Sequence, residues 1–385
     1  MNKIIKRILL VLMIVVLILV SFVGSYCGYI YFSYERIGDT DLDIISGSKL
    51  NNLVVGQTYS ATTYNVGFGA YSQDFTFFLD TGYDIDGNET CGYYSKARSK
   101  EEALFNINGS VNTIKELDSD FVFLQEVDVN STRSYRIDQN ELFFNGLKIY
   151  DNVFSCNFNT AYLPYPLYDM HGSSYAGLST FSKYKIEEAH RFEYTISEDF
   201  SKFFDCDRCF SVSLLNVDNG KKLYLVNSHM SAYDKGGVIK EKQITELNSF
   251  LKKCKDEDNY VIVGGDFNHD LITNNPNFDY TSNNKPFNNL LKNSDWIASY
   301  FDENGKNPLI EGYKVVASDN APTCRNNDIK WNPELTYKCV VDGFITSDNI
   351  EITKNYNVVT KNGNLGIDGF AYSDHQPAYI EFKLK

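Results

Sequence analysis

Positive charge is in short supply in this 385-residue chain, where 36 lysines and arginines face 50 aspartates and glutamates for a formal net charge of -14. That balance repels phosphate backbones and anionic bilayers at long range and excludes a basic, non-specific nucleic-acid binder. It does not exclude an enzyme that recruits a cation, because a bound metal can be the largest local charge in a cleft and reverse its sign. Proline occurs eight times without gathering into a linker. Beyond residue 58 there is also no glycine-serine spacer, no block of like charge and no internal repeat. These absences leave one continuous domain over residues 59–385, with 43% hydrophobic and 15% aromatic residues to fill its core.

Charge is missing altogether from Ile8 to Tyr34. That stretch is long enough for a membrane-spanning helix, which needs roughly 20 residues. Lys3, Lys6 and Arg7 precede it, whereas Glu35, Asp39, Asp41 and Asp43 follow with only Arg36 among them. The positive-inside rule assigns residues 1–7 to the cytoplasm, 8–34 to a single-pass anchor and the rest to the outer side of the cell membrane. A signal peptide usually has an apolar core of only about 7–15 residues. Tyr26, Tyr29, Tyr31 and Tyr34 line the exit like an aromatic interface belt, which favours an uncleaved anchor. Residues 35–58 are polar with little periodicity and read as a stalk. Of the eight cysteines, Cys27 lies in the span and seven remain outside, too odd a number to pair completely. Cys206 and Cys209 form a lone CxxC without the further ligands of a zinc or redox site. Cys324 and Cys339 flank one loop as a disulfide pair or as buried thiols.

Strand-like runs recur through the domain: "YSATTYNV", "DFVFLQEV", "LSTFSKY", "CFSVSLLNV", "KLYLVNSHM", "NYVIVGGDF", "CVVDGFITS" and "PAYIEFKLK". Ile107, Val111, Ile114 and Leu117 share one face of a helix, as do Ile244, Leu247, Leu251 and Cys254. Each helix leads directly into a buried strand. The strands end in polar residues: Asn65 in "TTYNVG", Glu126 in "FLQEVD", His229 in "LVNSHMS", Asp266 and Asn268 in "VGGDFN", and Asp342 in "VVDGF". "YSDHQP" adds Asp374 and His375. Singly, each of these reads equally well as an ordinary turn.

Together, Asn65, Gln125-Glu126, His229, Gly265-Asp266-Phe267-Asn268, Asp342 and Ser373-Asp374-His375 resemble the ordered motif set of the endonuclease/exonuclease/phosphatase superfamily of metal-dependent phosphoesterases. The resemblance runs from about residue 59 to the C-terminus. It implies an α+β fold, a four-layer α/β/β/α sandwich of two mixed sheets with the site at one rim. It further implies a Mg²⁺ ion, or Mn²⁺ in its place, with Glu126 as its principal ligand and Asn65 and Asp374 in the same site directly or through water. The same pattern makes His375 a general base or electrostatic stabiliser held by Asp342, and Asp266 the residue that orients or deprotonates water. Asn268 and His229 would then contact the phosphate or leaving group. Arg133 and Tyr175 are the substrate-binding expectations, with His171 nearby. The implied substrate is a phosphate ester: a nucleic acid, a phospholipid headgroup or a small phosphoester. No long aromatic hairpin for bilayer insertion stands out, and no protein partner is inferred. A silent membrane-tethered interaction protein would lack one or more of these residues, and none is missing.

Overall fold

Two strands buried on both faces organise the molecule. Phe121–Asp128 and Tyr260–Asp266 contain no alternating polar positions in their apolar stretches, so each needs a packed layer on either side. The computed structural model describes residues 3–232, 238–278, 299–361 and 363–385. Among these residues, the two strands lie within two seven-stranded sheets packed face to face.

One sheet runs in the order Thr40–Asp41, Glu188–Glu193, Cys209–Asn216, Lys222–His229, Tyr260–Asp266, Asp342–Ser347 and Tyr313–Val316. The other runs Ile350–Asn357, Ala378–Leu384, Thr58–Asn65, Phe121–Asp128, Gly172–Ser182, Asp151–Leu163 and Ile44–Ile45. Both are mixed. Lys222–His229 runs parallel to Tyr260–Asp266, and Thr58–Asn65 runs parallel to Phe121–Asp128. A parallel pair requires a crossover, supplied by the helices Val238–Asp256 and Lys100–Leu117. Ile244, Leu247, Leu251 and Cys254 pack on Val261 and Val263 on the outer face of the first sheet. Ile107, Val111 and Ile114 pack on Val122 and Leu124 on the outer face of the second. Phe121, Phe123, Leu225, Ile262, Phe344 and Phe382 fill the space between the sheets. The result is the expected four-layer sandwich.

Helix Lys100–Leu117 is closed at both ends by local chemistry. Ser99 caps its start by accepting from the Glu102 amide at 3.1 Å, and Asp118 ends it in the left-handed region at φ 46°. The pair Gly264-Gly265 is dictated by packing. A Cβ on Gly264 would lie 2.5 Å from the Phe123 ring of the facing sheet, and one on Gly265 would lie 2.1 Å from the Ser228 carbonyl.

Residues 35–58 do not form the expected stalk. Thr40–Asp41 pairs with the open edge of the first sheet and Ile44–Ile45 with the open edge of the second. The Gly47 and Ser48 amides donate to Asp151 Oδ1 at 2.9 and 2.8 Å, and Leu53 is fully buried. The segment is held by backbone pairing along two sheet edges, which leaves no side-chain periodicity to read. Helix Lys3–Ser33 is long and apolar enough to cross a membrane.

Candidate active site

Strand register assembles the site. His229 pairs with Asp266, and Asp266 pairs with Asp342, so three polar strand ends stand abreast at one rim of the first sheet. On the facing sheet Asn65 pairs with Gln125 at the same rim. Below them the two sheets are tied by buried amides. Gln125 Nε2 donates to Asn227 Oδ1 at 2.8 Å, and Asn227 Nδ2 donates to the Leu124 carbonyl at 3.1 Å.

Glu126 reaches the cavity through a bulge. The pairing of its strand with Gly172–Ser182 slips between Leu124 and Val127, and Glu126 takes φ 56°. A bulge of this kind re-aims a side chain, and the left-handed backbone costs about 1–3 kcal/mol. Asn268, at φ 51°, has the same character at the end of the opposite strand. The Ser373-Asp374-His375 segment is pinned to the first strand by Ser373 Oγ, which donates to the Asn65 carbonyl at 2.8 Å and accepts from the His375 amide at 3.1 Å.

These residues enclose a cavity of about 220 Å³ that Glu126, His229, Asp266, Asn268, Asp374 and His375 all line. On one side His375 Nδ1 lies 2.8 Å from Asp342 Oδ2, while its Nε2 lies 3.8 Å from Asp266 Oδ2. His229 Nε2 is 3.5 Å from that same oxygen. Asn65 Nδ2 donates to Asp266 Oδ2 at 2.9 Å and to Glu126 Oε1 at 3.2 Å, bridging the two sheets. Burial pushes the Asp342 carboxyl up to about 7. Burial alone would lower His375, but the Asp342 carboxylate, aided by Cys324 and Asp266, raises it well above its ordinary value. Both directions agree that the pair holds a proton near neutrality, and the 2.8 Å contact places it between Nδ1 and Oδ2. His229 is held well below its ordinary value by burial, then by Arg208 and His375, and is neutral.

The acidic side consists of Glu126 and Asp374. Burial raises the Glu126 carboxyl and Asp374 adds to the shift, against Arg133, Asn65 and His375. Asp266, Asp342 and His375 can also bring one ligand atom each within 4.8 Å of one another. The His375–Asp342 hydrogen bond, however, already occupies an atom of each, so that trio forms a hydrogen-bonded relay. The Glu126–Asp374 pair has the donor type that a hard divalent cation requires, one or two carboxylates with room for water and substrate oxygens.

A family model described as the Endonuclease/Exonuclease/phosphatase family matches residues 103–375. The chain belongs to this family. It is a phosphoesterase-type hydrolase, with Asn65 lying ahead of the matched segment. No curated protein sequence matches the chain. Among solved structures, TDP2 of D. rerio complexed with a single-strand DNA product is 14% identical with a TM-score of 0.51, covering 85% of this chain and 99% of its own. An endonuclease/exonuclease/phosphatase family protein from Leptotrichia buccalis is 14% identical with a TM-score of 0.51, covering 85% and 100%. ANGEL2, a 2',3'-cyclic phosphatase in complex with adenosine-2',3'-vanadate, is 15% identical with a TM-score of 0.50, covering 90% and 99%. At these identities the likeness shows the shared fold.

Some expected site residues sit differently in this family member. Asn65 Oδ1 accepts from the Gly67 amide at 3.0 Å, so its nitrogen, not its oxygen, faces the carboxylates. Asn65 thus bridges Glu126 and Asp266. Asn268 Nδ2 already donates to the Met230 carbonyl at 2.8 Å, with a second hydrogen left for substrate. Arg133 lines the cavity but is ion-paired to Asp128 at 2.9 Å and stacked over Phe68 at 3.9 Å. Tyr175 is not substrate-facing. Alternation along its strand turns Ala176 into the cavity, while the Tyr175 ring lies outside against Phe154 at 6.2 Å. His171 lines the cavity instead. The cysteines are all free, and among the described residues Cys206 and Cys209 belong to no cluster of metal-ligating side chains.

Three cavity residues carry no sequence motif. Asp80 is pushed up to about 7 by burial, with Asp374 adding to the shift. Asn327 Nδ2 donates to Asp80 Oδ2 at 3.1 Å and to Asp374 Oδ2 at 2.9 Å, clamping the two carboxylates together. Arg208 is buried against the cavity with Nε and Nη1 unpartnered. The usable signal for Arg208 is topological. It precedes the Cys209–Asn216 strand, which runs antiparallel to Lys222–His229, so its start lies at the rim where His229 ends.

Proposed function

We propose that this chain hydrolyses phosphate esters with a divalent cation, Mg²⁺ or Mn²⁺ in its place, held by Glu126 and Asp374. We place the site outside the membrane crossed by the N-terminal helix, with Lys3, Lys6 and Arg7 on the cytoplasmic side. One observation carries the chemistry. A single cavity sets the Asp342–His375 relay and Asp266 opposite the Glu126–Asp374 carboxylates. A bound divalent cation would neutralise charge on the phosphoryl oxygens. Asp266, encircled by the Asn65, His229 and His375 nitrogens, aligns the attacking water and draws its proton. His375, steered by Asp342, turns Nε2 toward the reacting phosphorus. His229 donates to a phosphoryl or leaving oxygen, and Arg208 meets the remaining phosphate charge with its idle donors.

The test uses the full chain in detergent micelles with bis-p-nitrophenyl phosphate, DNA, RNA and sphingomyelin. The expected result is turnover of at least one of them, lowered about 10²–10⁴-fold in His375→Ala. An unchanged rate in that variant removes the assignment.

A further inference from the structure

The Gly172–Ser182 and Asp151–Leu163 strands form a long hairpin whose connection and flanks carry Tyr162, Tyr165, Leu167, Tyr168 and Met170. Leu167 is 77% exposed, Tyr168 60% and Tyr165 59%. A second segment leans on this tip. Phe78 packs edge-on against Tyr165 at 5.7 Å, and Tyr93 stacks on Tyr168 at 4.8 Å. Leu79 and Tyr93 add further exposed apolar surface. Contiguous apolar exposure of this kind marks a contact surface. The stretch "YLPYPLYDM" at residues 162–170 carries most of this tip, so the expectation that no aromatic hairpin stands out is overturned, and Phe78 and Tyr93 join it from a distant segment.

What covers the surface is indicated by the apolar helix. Tyr26 Oη donates to the Tyr162 carbonyl at 3.0 Å, and the Tyr162 amide donates to Tyr29 Oη at 3.2 Å. On the same helix Tyr31 and Tyr34 pack against Phe203 at 6.4 and 5.2 Å. Counted from Ile8, a span of about 20 residues ends near Cys27. The hydrogen bonds that join Tyr162 to Tyr26 and Tyr29 therefore hold the base of the tip at the depth where the bilayer's hydrocarbon gives way to headgroups. The lip is continuous with the catalytic cavity, since Phe77, Phe78, Leu79, Leu163 and Phe204 are among its lining residues.

We propose that this lip rests in the bilayer interface and that the substrate is a membrane-resident phosphoester, whose acyl or other hydrocarbon chains stay in the lipid while its phosphate enters the cavity. The first half of this statement stands on the lip alone. The second rests on the phosphoesterase reading above. Aromatic side chains favour this depth, and a surface anchor beside a spanning helix needs no added basic patch.

The test reconstitutes the full chain into phosphatidylcholine vesicles. Leu167→Trp should be quenched by brominated acyl chains, in excess of any quenching seen in the parent chain. Absence of that excess overturns the lip. With phosphatidylglycerol or sphingomyelin in the vesicles, the parent should release the phosphorylated headgroup. Leu167→Glu should lower that rate at least tenfold while leaving bis-p-nitrophenyl phosphate turnover within twofold. Equal loss on both substrates, or turnover of nucleic acid with none of either lipid, overturns the substrate class. Silence toward every phosphoester points to failure of the hydrolase reading, and the quenching result still decides the lip.

Discussion

Arg208 is poised for an anion. Its buried Nε and Nη1 meet no hydrogen-bond partner, while burial of its charge is outweighed by Cys206, Asp205, Glu126 and Asp266, with Asp205 3.9 Å from Nη2. Charged hydrogen bonds to a phosphate are worth about 1.5–3 kcal/mol each. Arg208→Met should therefore lower kcat/KM by about 10–100-fold. Inorganic phosphate should raise the midpoint of the parent and not of the variant, as followed by thermal unfolding in detergent. His171 makes a second prediction at this scale. Burial, with Arg133 adding, pulls its ring down to about 4 from an ordinary 6.5. Between those values the unfolded chain binds a proton that the folded chain refuses, so stability falls as pH drops from about 6.5 to about 4, by up to about 3 kcal/mol. His171→Gln should show a smaller loss of thermal midpoint between pH 7 and pH 4.5 than the parent. An identical loss would remove His171 as the cause.

At the scale of elements, the site was legible where it closes a regular strand. Asn65, His229 and Asp266 each end a strand, Glu126 lies at a bulge two residues before its strand ends and Asp342 opens its strand after the apolar Val340-Val341, and an apolar run that meets a polar residue can be read directly. Asp80, Asn327 and Arg208 lie in irregular chain between elements, where no period marks them, and only the register of distant strands brings them in. Tyr175 shows the limit of proximity in sequence, because a pleated strand sends adjacent residues to opposite faces. The strand Ile350–Asn357 escaped for a related reason. It is an edge strand with exposed and half-buried Glu351, Thr353, Lys354 and Asn355, so it lacks the alternation that a half-buried strand shows. Packing between the sheets offers a direct check. Gly264→Ala drives a methyl group toward the Phe123 ring and should cost about 1–3 kcal/mol by overpacking. Adding Phe123→Leu should restore part of the lost thermal midpoint, and a single variant as stable as the parent would mean that the sheets do not meet there as described.

The whole molecule joins an apolar helix, a two-sheet sandwich and a rim of converging strand ends. Its chain-wide acidity and its anion-binding task are reconciled locally. Arg208, Arg133 and Arg325 line the same cavity as Glu126 and Asp374, so positive and negative groups face one another across a short distance. The carboxylate side of that cavity is where the proposed divalent cation would sit. The most direct measurement is therefore the rate of bis-p-nitrophenyl phosphate hydrolysis by the full chain as Mg²⁺ is titrated after chelation, with Glu126→Gln alongside. Cation binding at Glu126 and Asp374 requires that chelation abolish turnover, that Mg²⁺ restore it, and that Glu126→Gln need at least about tenfold more Mg²⁺ for half-restoration, the loss expected for weakening a metal site. Turnover that ignores the chelator, or a Glu126→Gln curve superimposable on the parent's, would contradict it.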